Sequence, residues 1–233
     1  MKILFVHQNM PGQYREMLDW LVAQGTHELV FLTQRRNLPD MPGVRKVVYK
    51  PHHTPAKNAY GLSKTWEEAV GYGYAAAQAT AVLRDEGFVP DIILGHTGWG
   101  ELLFLKHVLP DVPILGFFEY YYLSDGGPVG FDPDDPPGAA SSYLLQARNA
   151  VPNSNIHVVD QGLAPTRWQR DTFPQSFHDK LYVCHDGIRT DRLLPDADVT
   201  LNLGRAGRIT RDDEVFTYLA RNMERTRGFH TFM

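Results

Sequence analysis

Lys2-Ile3-Leu4-Phe5-Val6-His7-Gln8-Asn9-Met10-Pro11-Gly12 opens the chain. Ile3 to Val6 is an uninterrupted apolar run of strand length, the pattern of a parallel strand buried on both faces. His7 to Gly12 is a short turn. Tyr14, Met17, Leu18, Leu21 and Val22 then recur at helical spacing, one face of an amphipathic helix that Gly25 can end. Leu29 to Leu32 and Val44 to Tyr49 are the next apolar strands. Thr65 to Arg84 is a long helical stretch whose one side carries Trp66, Ala69, Val70, Gly73, Ala76, Ala77 and Thr80. These are mostly small, so that helix can lie close against a sheet. Ile92 to Gly95 is a strand, Trp99 to Leu109 a helix closed by Pro110, and Val112 to Phe118 a strand. Strand and helix in this alternation predict βαβ units, hence an α/β, Rossmann-like parallel sheet with helices on both faces. Ligands of such sheets sit at the carboxyl ends of the strands. The segments that matter are therefore His7 to Gln13, His96 to Gly100, and Glu119 onward.

The rest of the chain is more broken. Ser124 to Gly138 reads as a loop with four aspartates, four prolines and four glycines, long enough to be a functional flap or a mobile segment. Thr166-Arg167-Trp168-Gln169 is a capping-box pattern that opens a helix. Lys180 to Cys184 is a strand, and His185-Asp186-Gly187 a turn. Pro195 to Gly207 lacks periodicity and reads as a linker. Val215 to Ala220 reads as a strand, Arg221 to Arg227 as a polar turn, and Gly228 to Met233 as a helix start. One strand and one helical turn cannot bury their own apolar faces. The expected organisation is thus a domain over 1–195, a linker over 196–213, and the truncated first strand and turn of a second domain over 214–233. The alternative is that this tail packs back as an edge strand.

Composition narrows the function. Of 233 residues, 43% are hydrophobic and 21% charged, a globular composition rather than a disordered or fibrous one. The net charge of −4 lacks the basic excess of a nucleic-acid binder. One cysteine, Cys184, excludes an internal disulfide and a cysteine-rich zinc site. No apolar run approaches the roughly eighteen residues that span a bilayer. The N-terminal apolar run is too short for a signal peptide, which points to the cytoplasm.

Candidate site residues follow from strand-end placement. The first turn contains one glycine, Gly12, where a dinucleotide fingerprint needs three at fixed spacing, so a nicotinamide oxidoreductase is disfavoured. Gly12 can let a phosphate or sugar approach a helix start, or it can serve an ordinary tight turn. His96 ends a strand and is followed by Thr97-Gly98-Trp99-Gly100, an aromatic between two glycines that offers a sugar ring a stacking surface. Glu119 follows a strand beside Tyr120, Tyr121 and Tyr122; a carboxylate among aromatics suits hydroxyl recognition or proton transfer, and equally suits a solvated core edge. Arg221 and Arg227 flank the last turn; two guanidinium groups converging on one anion make a phosphate clamp, and separately they make a solvated face.

Taken together these stretches resemble bacterial family-four glycosyltransferases of the retaining, GT-B type. The likeness rests on residues 2–13, on Pro90 to Glu101, on Ala164 to Gln169, on His185-Asp186-Gly187-Ile188, and on Ala220-Arg221-Asn222 through Arg227-Gly228. It implies the N-terminal, acceptor-side half of a GT-B fold and the start of the donor-side half. It implies that Arg221 and Arg227 hold the diphosphate of a sugar-nucleotide donor, with Arg227 standing where a lysine is more usual. It implies Gly12 near the phosphates, His96 lining the donor sugar, and an acceptor met by Gln13, Trp99, Glu119 and Tyr120. The sugar nucleotide is then a substrate; no cofactor and no metal are implied. The acceptor is expected to be a glycan or a lipid-linked sugar in surface polysaccharide assembly, the latter bringing the protein to the periphery of a membrane. Two other readings stand beside this one: a glycan-binding module without catalysis, and a GT-B-shaped sugar-nucleotide epimerase.

Overall fold

The computed structural model describes residues 1–233. Seven parallel strands form one sheet: β1 (Lys2–Val6), β2 (Glu28–Thr33), β3 (Val44–Val48), β4 (Ile92–His96), β5 (Ile114–Phe117), β6 (Gln161–Ala164) and β7 (Leu181–Val183), in the order β3-β2-β1-β4-β5-β6-β7. The α/β, Rossmann-like sheet expected from the strand–helix alternation is what the chain forms. Alternate residues of β1 divide between two cores, as the period of a strand requires. Leu4 and Val6 join the larger cluster under the helix Lys64–Asp85, with Val30, Leu32 and Ile93. Ile3 and Phe5 face the helix Arg15–Gln24, with Leu18, Phe31 and Leu94.

We number the helices α1 (Arg15–Gln24), α2 (Lys64–Asp85), α3 (Leu105–Val108), α4 (Ser141–Arg148), α5 (Ala150–Val158), α6 (Arg167–Thr172) and α7 (Phe229–Phe232). Gly25, in the left-handed region at φ 64°, ends α1 and returns its N–H to the Val22 carbonyl. The small face of α2 allows a close backbone approach, here to the loop that follows β4. Gly100 has φ +107°, and a Cβ there would run into the backbone of Ala69, while a Cβ on Gly73 would lie 2.6 Å from the Gly100 carbonyl. Helix α2 therefore rests directly on the loop after β4.

Two readings of the sequence are corrected and a third gains detail. Trp99 to Leu109 is not one helix: only Leu105–Val108 is α-helical. The preceding turn uses i→i−3 bonds, Leu103 N–H to Gly100 and Leu105 N–H to Leu102, because Gly100 holds a conformation that a helix cannot use. Val215 to Ala220 forms no ladder, since no strand lies alongside it; Phe216 is 79% and Leu219 99% exposed. The segment 195–207, expected as a linker, contributes one strand to a short hairpin. Leu201–Asn202 and Arg208–Ile209 pair antiparallel as β8 and β9 around the turn Gly204–Ala206. Helices α4 and α5 and strand β6 carry no periodic signal strong enough to have been read in advance.

Candidate active-site cleft

The strand order reverses between β1 and β4, so their connections leave toward opposite sides and open a crevice at their carboxyl ends. His7 follows β1 and His96 ends β4. Their rings meet edge to face at 5.2 Å. Both are buried, His7 6% and His96 4% exposed.

Each imidazole has its tautomer set by the backbone. Nδ1 of His7 accepts the Asn9 N–H at 2.8 Å, and Nδ1 of His96 accepts the Gly98 N–H at 2.9 Å. A nitrogen that accepts carries no proton, so in the neutral ring the proton lies on Nε2. Nε2 of His96 then donates to Glu119 Oε2 at 3.1 Å. His185, after β7, repeats the pattern, its Nδ1 accepting the Gly187 N–H at 3.0 Å. Burial, and next the neighbouring His96, pull His7 down to about 4, so it is neutral at pH 7. The hydrogen bond from His96 holds Glu119 below the usual carboxylate range; burial opposes this, and the electrostatic pull of the His96 and Arg221 side chains adds to it.

The site is braced from behind. Gln169, in the capping box of α6, donates its amide to the Glu119 carbonyl at 2.9 Å, while its own N–H bonds the Thr166 hydroxyl at 3.1 Å. Asn149 grips Tyr122 twice, accepting its N–H at 2.9 Å and donating to its carbonyl at 2.8 Å. Asn155, fully buried, donates to the Thr97 carbonyl at 2.7 Å and fixes the loop after β4.

These parts enclose a cleft of about 340 Å³, lined by Thr65, Glu68, His96, Gly98, Trp99, Glu119, Tyr120, Tyr122, Arg148 and Pro152. Trp99, 43% exposed, stacks on His96 at 5.9 Å. Tyr120 stacks on Trp168 at 5.9 Å, and its buried hydroxyl has no partner in the chain. Aromatic faces with hydroxyl-level donors and acceptors suit a polyhydroxylated ring.

Four of the residues predicted from the sequence thus meet in one cleft: His96, Trp99, Glu119 and Tyr120. Gln13 lies elsewhere, in an adjoining apolar pocket of about 60 Å³ with Tyr14, Phe117, His185 and Asp186. Gly12 sits on the His7 ring, where a Cβ would come within 3.2 Å of it. Arg221 is exposed, and its charge reaches Glu119. Arg227 pairs instead with Glu224 at 3.8 Å and accepts the Tyr218 hydroxyl on its carbonyl. The sequence reading places His7 in a strand-end segment and His185 and Asp186 in the turn after a strand but gives none of the three a role, although the strand-end rule that singles out His96 applies to them as well. Asp186 is pushed up, chiefly by burial. Arg148 had no signal, since α4 alone carries it into the wall. Glu101 was also missed: fully buried behind the cleft, it accepts the Tyr49 hydroxyl at 2.6 Å, and burial pushes its carboxyl up.

Residues 25–193 match the glycosyl transferase family 4 group. No curated protein matches the sequence. Among solved structures, the chain is similar to sucrose-phosphate synthase from Thermosynechococcus elongatus, at 12% identity over 81% of this chain and 91% of that one, with a TM-score of 0.48. It is similar to UGT2 of Phytolacca americana complexed with UDP-2-fluoro-glucose and pterostilbene, at 12% identity over 82% and 55%, with a TM-score of 0.47. It is similar to UDP-GlcNAc 2-epimerase of Neisseria meningitidis bound to UDP-GlcNAc, at 16% identity over 78% and 45%, with a TM-score of 0.42. The chain spans about half the length of the last two, 55% and 45%. No helix is long and apolar enough to cross a membrane. The match over residues 25–193 places the chain in the glycosyl transferase family 4 group.

Proposed function

We propose that this chain forms the acceptor-side part of a glycosyltransferase that moves a hexosyl unit from a sugar nucleotide to a glycan or lipid-linked acceptor, with retention, in surface polysaccharide assembly in the cytoplasm. The observation that carries the reading is the His96–Glu119 pair at the reversal point of the sheet, opening on an aromatic cleft of about 340 Å³. The His96 imidazole and the Glu119 carboxylate beside it suit sugar hydroxyls, which can both donate and accept.

The chemistry then follows from charge. The bond between the anomeric carbon and the diphosphate oxygen breaks, and its electron pair stays on the departing phosphate. The acceptor oxygen forms the new bond on the same face, and its proton passes to that phosphate oxygen. Positive charge at Arg221 stabilises the leaving group as its negative charge grows. Gly12, with no side chain, lets the donor approach the first turn, and Arg227 is the second cation of the clamp once the donor competes with Glu224. His96 positions the sugar; Gln13, Trp99, Glu119 and Tyr120 receive the acceptor. Residues 214–233, with Phe216 and Leu219 in solvent, belong in this reading with the donor-side unit.

The test is transfer of labelled hexose from UDP-glucose, UDP-galactose or GDP-mannose to oligosaccharide acceptors, with the product's anomeric configuration read by NMR. A retained linkage supports the proposal. An inverted linkage, or interconversion of the sugar nucleotide without transfer, contradicts it.

A further inference from the structure

Arg148 is the cation of the cleft wall. Its guanidinium lies over the Tyr122 ring, 5.5 Å from the centroid. That ring belongs to a segment whose backbone Asn149 pins from both sides. Arg148 ends α4, where the last carbonyls of a helix favour a positive charge. The side chain is exposed and lines the cleft.

The fork has no partner. Glu68 and Glu119 line the same cleft, yet neither comes within ion-pair distance of it; the ion pair in the lining joins His96 to Glu119. A planar guanidinium held on a ring, with its donors unused, matches an oxyanion in the plane of the fork, as a carboxylate or phosphate presents. Trp99 and Tyr120 supply stacking faces for the ring that carries it.

We propose that Arg148 makes this cleft select an acceptor sugar bearing an anionic group, a carboxylate or a phosphate, over a neutral one. The inference rests on the glycosyltransferase reading above and names the acceptor class. The unpaired fork takes the oxyanion, Glu119 takes a neighbouring hydroxyl, and the ring stacks on Trp99.

The experiment is an NMR titration of the ¹⁵N-labelled chain, following the Trp99 indole and Arg148 Nε–H signals, with glucose, glucuronate, glucose 6-phosphate and inorganic phosphate. One or both acidic sugars are expected to bind about tenfold more tightly than glucose, the gain of one charge-assisted pair in a half-open site. A preference for glucuronate assigns a carboxylate, and a preference for the phosphorylated sugar assigns a phosphate. Arg148→Gln is expected to erase the advantage and Arg148→Lys to keep part of it, with unchanged urea midpoints showing that both variants fold. Glucose binding as tightly as both acidic sugars, or discrimination that survives in Arg148→Gln, overturns the proposal and leaves the transfer reading standing. Inorganic phosphate binding as tightly as glucose 6-phosphate also overturns it, since the site then reads charge without sugar. Absence of every sugar from Trp99 overturns both readings.

Discussion

Gly98→Ala tests whether the backbone truly sets the His96 imidazole. Gly98 has an ordinary backbone conformation, so the substitution strains nothing by φ. A Cβ there would stand 2.8 Å from Cε1 and 3.1 Å from Nδ1 of His96. The imidazole is 4% exposed and touches His7, Trp99 and Phe117, at ring separations of 5.2, 5.9 and 5.6 Å, so it cannot swing freely. Overpacking of this kind costs about 1–3 kcal/mol. Loss of the Gly98 N–H bond to Nδ1 adds about 1 kcal/mol. The bond to Glu119 adds little, because that carboxylate side chain is 57% exposed and screened. Removing a glycine from the unfolded chain returns about 0.4–1 kcal/mol. The net is about 1–3 kcal/mol of destabilisation, a fall in Tm of several degrees for a chain of this size. Gly61→Ala is the control, since a Cβ there meets nothing within 4 Å. Urea unfolding reads the stability, and long-range ¹H–¹⁵N correlation of the imidazole reads whether Nδ1 still accepts. A Gly98→Ala protein with wild-type stability and an unmoved His96 spectrum would refute the account of how this site is held.

Other outcomes follow from the same geometry. Glu101 has its carboxyl raised from 4.5 by burial, so the folded state binds that proton more tightly than the unfolded one. Stability should therefore fall as pH climbs above about 4.5, and Glu101→Gln should flatten that slope; an unchanged pH profile by thermal melts would contradict it. Tyr49→Phe, which strips the one hydroxyl that Glu101 accepts from, should cost about 1–3 kcal/mol in urea unfolding. His96→Ala should lower sugar transfer roughly a hundredfold with the fold intact, as expected of a group that orients the reacting ring; turnover at the wild-type rate would return the histidine to a packing role. Arg221→Ala should weaken donor binding by roughly ten- to a hundredfold, the worth of one charged hydrogen bond, and normal donor kinetics would count against the clamp.

Much of the site was legible because of one topological regularity. In a parallel sheet every strand delivers its next residue to the same edge, so His96 and Glu119 could be named from the apolar runs before them. The rule was applied unevenly: His7 and Asp186 obey it too. Gln13 shows its limit, since it lies in the helical turn Gly12–Tyr14 ahead of α1, where the chain has left the strand's direction, and it lines the apolar pocket. Val215 to Ala220 failed for a different reason. Apolar, β-branched composition favours a strand only where a ladder partner exists, and local sequence cannot supply one.

The amino-acid order by itself determined the periodicities, and with them the strand–helix alternation and the small face of α2 that permits close packing. Only the tertiary structure decided which of the strand ends meet. Strand order brings His7 against His96, and a carboxylate 23 residues away in sequence closes onto its Nε2. It also carried Arg148 to the cleft, through a helix with no distinctive pattern, and set it on Tyr122 with no carboxylate in reach. The physical reason is range. Side-chain periodicity reports which face of an element is buried, whereas pairing and charge depend on distances between elements, which exist only once the chain has closed on itself.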